Sequence, residues 1–232
     1  MTPSAAMSGN PLASTGTSET HENPQGATST SPAKSQLSML VNLLFSEEAD
    51  DGPRAAGTII GLTSPIHGEG TSTISALLAM ELGRSDRSHT LLITSSELAR
   101  LRPEDLVRFE DLWMKNRAYG YWQTSSFLDD DQNGHSPWNT DLGFRRTVID
   151  RLRRRFHNVL IDCQPVRESS DVAAVASLID GFILVIRSGS STREQVQETI
   201  RVVQLTSGVI KGCCFNRRTY PIPERLYNWI KR

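Results

Sequence analysis

Between Thr58 and Thr73 the sequence reads TIIGLTSPIHGEGTST, a β-branched apolar run that passes through a turn with two glycines, Gly68 and Gly70, into consecutive hydroxyl residues. A strand that ends in such a turn and opens a helix aims several backbone N–H groups at one spot, where the helix dipole adds positive potential. That is anion chemistry, and for phosphates in particular it recurs in a fixed form: Lys follows the last glycine and neutralises the β and γ phosphates, and the next Ser or Thr binds magnesium. Here Thr71 stands at the lysine position, whereas Ser72 fits the metal-side hydroxyl and Thr73 follows it. The competing reading is a tight turn whose Ser and Thr side chains cap the helix.

Other reactive residue types are less organised. The five histidines have no ligand spacing, and His67 is an exposed turn residue within the glycine loop. Cys163, Cys213 and Cys214 cannot make a disulfide framework, since two are adjacent and the number is odd, and a reducing compartment is expected. No G-x-S-x-G is present, which argues against a serine hydrolase. Arg145, Arg146, Arg151, Arg153, Arg154 and Arg155 crowd one segment, as a solvated helix face or a surface for an acidic partner or lipid headgroups.

The elements that must position these residues follow from periodicity. Buried strands are expected at Thr58–Thr63, His89–Thr94, Asn158–Cys163, Phe182–Ile186 and Val209–Phe215, and helices at Thr71–Gly83, Ser170–Leu178 and Thr192–Leu205. Phe144, Val148, Leu152 and Phe156 recur at i+4 among arginines and predict an amphipathic helix. Tyr119–Thr124 reads as a strand within an irregular stretch from Ser95 to Leu142, and Met39–Phe45 as a short helix or entry strand. Near-continuous apolar strands alternating with helices give an α/β fold, a mostly parallel sheet covered on both faces, with ligands at the carboxyl ends of the strands.

The chain has 232 residues, 38% hydrophobic, with 25 Lys+Arg against 26 Asp+Glu and a net charge of -1. Near neutrality argues against bulk nucleic-acid binding, and no apolar stretch approaches the roughly 20 residues of a membrane span. Residues 1–33 contain no Lys or Arg and are rich in Ser, Thr, Pro, Gly and Asn, the composition of a disordered tail. An entry segment at 34–53, an α/β domain at 54–220 and a C-terminal segment at 221–232 complete the expected organisation.

From the loop onward the sequence resembles the cytoplasmic kinase domain of bacterial tyrosine kinases of the polysaccharide co-polymerase type, relatives of the MinD/ParA P-loop ATPases. Their loop reads T-S-x-x-P-G-E-G-K-S-T against T-S-P-I-H-G-E-G-T-S-T here. Asn158–Val166 (NVLIDCQPV) is similar to their V-I-I-D-T-P-P-V, Leu184–Thr192 to L-V-V-R-x-G-x-T-T, and Gly212–Asn216 to G-V-V-L-N. The resemblance implies a P-loop fold with ATP or ADP and Mg2+ held by Gly68, Glu69, Gly70, Thr71, Ser72 and Thr73. Asp162 would be the Walker B-like catalytic carboxylate, Ser72 and Asp162 the metal side, and Asn216 would lie near the base.

Departures from the family fall on the chemistry. The lysine is Thr71, and L-L-I-D-A-D-L-R aligns with Leu91–Leu98 (LLITSSEL), so both aspartates are lost unless Glu97 substitutes from a shifted position. The oligomerisation motif E-x-x-R-x-x-R falls on Lys34, Leu37 and Leu40, and the C-terminal tyrosine cluster is reduced to Tyr220 and Tyr227. What the resemblance then implies is a cytoplasmic pseudo-enzyme of exopolysaccharide or capsule synthesis, peripheral at the inner membrane through a membrane polysaccharide co-polymerase partner. An active ATPase or tyrosine autokinase and a MinD/ParA-like positioning switch are the alternatives.

Overall fold

Unbroken apolar and β-branched runs need both faces covered, and the computed structural model builds a sheet from them. It describes residues 39–42, 45, 57–84, 89–125 and 136–216. In chain order the elements are β1 (Thr58–Thr63), α1 (Thr71–Gly83), β2 (Thr90–Thr94), α2 (Ser95–Arg100), β3 (Trp113–Lys115), β4 (Trp122–Thr124), α3 (Leu142–Arg155), β5 (Asn158–Asp162), α4 (Asp171–Val175), β6 (Gly181–Arg187), α5 (Arg193–Leu205) and β7 (Ile210–Asn216). The sheet order is β3-β4-β2-β5-β1-β6-β7, and every pairing is parallel except β3 with β4.

One face packs Leu98 of α2, Val148 and Leu152 of α3, Val172 of α4 and Val203 of α5 on Ile59, Ile93, Val159 and Ile161. The other packs Ile74, Leu78, Ala79 and Leu82 of α1 on Ile60, Leu62, Leu160, Ile183 and Val185. The i, i+4 spacing of Ile74, Leu78 and Leu82 makes that stripe, and each fully buried aliphatic side chain contributes about 1.5–3 kcal/mol. Residues 39–42 and 45 are helical, and Leu40, Val41 and Phe45 lie half-buried against this second core. Among the described residues no helix is long and apolar enough to cross a membrane.

The amphipathic helix forms as its spacing predicts: Phe144, Val148, Leu152 and Phe156 are buried, and Asp141 caps the start by accepting from Gly143 N and Phe144 N. Its arginines are not uniformly solvated. Arg153 donates to Gly57 O (2.9 Å) and Leu178 O (3.1 Å) and pairs with Asp180 (2.8 Å), which also accepts from Ile59 N (2.7 Å). These contacts fasten the last turn of α3 to the entry of β1, at the sheet end opposite the glycine loop.

Most element bounds move by a single residue from the sequence reading, and two differ by more. Only Trp122–Thr124 of the expected Tyr119–Thr124 strand is extended, because Asn116–Tyr121 is the turn joining β3 to β4, closed by Asn116 N donating to Tyr121 O (2.8 Å). Gly120 there has φ 81° and lies so close to Gly83 that a Cβ would come within 2.6 Å of the Gly83 carbonyl oxygen. The Ser170–Leu178 helix is regular only over Asp171–Val175, and the last strand is shifted by one residue to Ile210–Asn216. The residues 1–33, 46–53 and 217–232, with Lys34, Leu37, Tyr220 and Tyr227, for which the sequence raises expectations, lie outside the described residues.

Candidate functional site

Sheet register brings the chemistry to one edge. Leu62 and Thr94 flank Asp162, Thr63 lies opposite Leu184, and Arg187 opposite Asn216. The segments after β1, β2, β5 and β6 therefore open on the same side, where β7 ends at Asn216 and where parallel sheets bind ligands.

The glycine loop is held in one shape. Gly68 and Gly70 have φ of 81° and 92°, conformations that L side chains rarely adopt. Thr63 Oγ1 donates to Gln164 O (2.9 Å), joining the end of β1 to the loop after β5, and Ser64 Oγ donates to Ile66 O (2.9 Å). From β7, Asn216 Nδ2 donates to Glu69 O (2.7 Å), and a Cβ on Gly70 would stand 2.3 Å from that same nitrogen. Glu69 is 1% exposed; one carboxylate oxygen accepts from the Ser191 hydroxyl, and the other is buried without a partner among the described residues. The turn after β6 and the end of β7 thus meet on Glu69 within the glycine loop, as a loop-shaping residue would require.

Helix α1 starts without a side-chain cap. Its N-cap is Gly70, and no acid lies in its first turn, so the Ser/Thr capping alternative does not describe this helix. Its first N–H groups are the uncapped donors that an anion satisfies. Thr71 is almost buried, while Ser72 and Thr73 are exposed.

Asp162, half-buried at the end of β5, has its carboxyl raised above the usual aspartate range by burial, against the lowering effect of hydroxyls on α1 and with a smaller upward push from Glu97. The Ser72 and Ser75 hydroxyls both favour the Asp162 charge, which places the expected metal-side pair, Ser72 and Asp162, side by side, although the Ser75 hydroxyl makes no hydrogen bond of ordinary geometry. Sequence reading missed Ser75, but its i+3 spacing from Ser72 puts both on one helix face.

Glu97 does not take the place of the missing aspartates. It closes a capping box at the start of α2, accepting from Thr94 N (2.7 Å) and Thr94 Oγ1 (2.8 Å), and its other oxygen takes the Thr124 hydroxyl of β4. Ser95 Oγ donates to Asp171 (2.5 Å). The Cys163 thiol is pushed well up by burial and by Asp162 and Asp171, which leaves it inert, and His67 is exposed with Glu168 at 3.9 Å. Among the described residues no group of three or more His, Cys, Asp or Glu could hold a metal, so a divalent ion here would depend on phosphate oxygens.

Sheet order, loop geometry and site edge together define an α/β domain of the P-loop NTPase type, related in fold to the MinD/ParA ATPases. In sequence the chain is similar to bacterial tyrosine-protein kinases. It is 22% identical over 171 residues to CpsD of Streptococcus agalactiae, covering 68% of this chain and 75% of CpsD. It is 27% identical over 176 residues to EpsB of Ralstonia solanacearum, a candidate tyrosine-protein kinase, covering 70% of this chain and only 23% of EpsB. Among solved structures it is similar to the chimerical protein CapA2B2 (TM-score 0.62, 19% identity, 84% of this chain and 88% of that one). The kinase domain of Escherichia coli tyrosine kinase ETK (0.55, 17%, 72% and 71%) and MinD of Aquifex aeolicus (0.53, 16%, 76% and 73%) share the fold. No protein-family model matches the chain.

Proposed function

We propose that this chain is a tyrosine-kinase-like domain with a degenerate nucleotide site, which supports exopolysaccharide or capsule polymerisation or export by binding a membrane co-polymerase partner, with weak or no nucleotide turnover. The observation that carries this reading is a phosphate loop kept in shape while its charge is gone: Gly68 and Gly70 stay left-handed and Asn216 fastens Glu69, yet Thr71 offers no cation. The backbone of Gly68 to Ser72 would hold phosphates, and Ser72 and Asp162 would face the magnesium that accompanies them. When bound, that ion would bridge phosphate oxygens and neutralise developing charge. A loop lysine contributes charge-assisted hydrogen bonds worth about 1.5–3 kcal/mol each, so its absence lowers nucleotide affinity by roughly ten- to a hundredfold and removes transition-state stabilisation as well.

Titration calorimetry of the full chain with ATP and ADP plus magnesium tests the reading. Weak binding, with no phosphotyrosine formed, is expected. Magnesium-dependent ATP hydrolysis that disappears in Asp162→Asn would overturn it in favour of a working ATPase. Nucleotide-dependent dimerisation or membrane association would instead establish a positioning switch.

A further inference from the structure

At the end of the sheet opposite the phosphate loop, the last turn of α3 and residues 106–111 enclose a groove of about 410 Å3 lined by Arg108, Arg151, Arg154, Arg155, Phe109 and the acids Glu110 and Asp111. Two of the four arginines are committed to the fold. Arg151 donates to Leu106 O and lies over the Phe109 ring, and Arg155 pairs with Glu110 (2.6 Å) and lies over Trp122 and Phe156. Neither Arg108 nor Arg154 has an ion-pair partner among the described residues, and Arg154 is exposed. On the rim Val107 is 88% exposed, an apolar side chain beside unpaired guanidiniums.

We propose that this groove docks an acidic peptide segment of a partner protein, with two carboxylates on Arg108 and Arg154 and an apolar residue against Val107. Charge complementarity selects the occupant: a guanidinium fork accepts a carboxylate in bidentate fashion, and stacking on aromatic rings holds the neighbouring guanidiniums in place. A lipid surface fits less well, because the site is concave: a flat headgroup plane reaches only its rim, whereas a single extended segment can enter it. The groove shares no residue with the nucleotide site, so this inference stands or falls independently of the reading above.

The test uses the full chain and a fluorescein-labelled peptide of alternating Glu and Leu, followed by anisotropy at about 50 and 200 mM salt. Saturable one-to-one binding that weakens with salt is expected, with at least a tenfold loss in Arg108→Glu/Arg154→Glu. Arg146→Glu, an exposed charge two turns earlier on the same helix, should leave affinity within about twofold, which controls for a charge reversal on α3 outside the groove. Circular dichroism melts confirm that the variants fold. Equal losses in Arg146→Glu and in the double variant, or no saturable binding, would overturn the proposal. Binding to phosphatidylglycerol vesicles that depends on Arg154 in the absence of peptide binding would also overturn it, in favour of a lipid surface.

Discussion

Gly70→Ala tests the claim that the phosphate loop is clamped from β7. The added methyl meets two separate obstacles. At φ 92° an L residue costs roughly 1–2 kcal/mol in backbone strain. In addition, the new Cβ would stand 2.3 Å from Asn216 Nδ2, so the Asn216 side chain must move and its bond to Glu69 O is lost, at about 0.5–1.5 kcal/mol. The sum is about 1.5–3.5 kcal/mol, or a fall in Tm of roughly 3–14 °C for a domain of this size. Asn216→Ala alone should cost only the hydrogen bond. In the double variant that bond is already gone and the clash is relieved, so it should be no less stable than Gly70→Ala by itself. Gly68→Ala is the control, since nothing lies within 4 Å of its would-be Cβ and only the strain remains. Urea denaturation of all four variants measures the cycle. Strict additivity of Gly70→Ala and Asn216→Ala, to within about 0.3 kcal/mol, would refute the clamp.

Thr71→Lys restores the missing cation on a loop that already has its shape, and should tighten magnesium–ADP binding by roughly ten- to a hundredfold in calorimetry; an unchanged affinity would mean that the loop no longer cradles phosphate. Burial raises the folded-state pKa of Asp162 above its unfolded value. The folded chain therefore carries that charge at a penalty at neutral pH, and the penalty fades as pH falls through the raised pKa toward the ordinary aspartate range. Asp162→Asn should accordingly raise Tm at pH 7 and give no gain below about pH 4, and a gain independent of pH would count against a strained carboxylate.

The sheet was readable from the chain because its strands are apolar runs long enough to need cover on both faces, and α3 because four apolar residues sit at i+4. Strand β3 and its pairing with β4 were not, although the expected Tyr119–Thr124 strand contains β4, since a three-residue strand leaves no period to detect and the turn at Asn116–Tyr121 has none of the short Asn-Gly chemistry that announces a hairpin. The site divides in the same way. Gly68, Gly70 and Ser72 stand next to a strand end, where local pattern shows them, and Asp162 is marked by the family resemblance. The ties that fix the loop run from Ser191 and Asn216, 122 and 147 residues from Glu69 in sequence, and only the folded sheet brings them within reach.

Charge placement explains why the loop's shape and its chemistry separate so cleanly here. The binding edge gathers Asp162, Glu97 and Asp171 with the buried Glu69, and the uncapped start of α1 faces them without a lysine. Cations on that edge belong to other loops: Arg167 follows β5, Arg187 ends β6 and Arg193 opens α5. The clamp on Glu69 asks for no cation at all, because it is made of two neutral donors, a serine hydroxyl and an asparagine amide. On the proposed function, the absent lysine would lower affinity for nucleotide while leaving in place the contacts that hold the loop and the surfaces a partner would use.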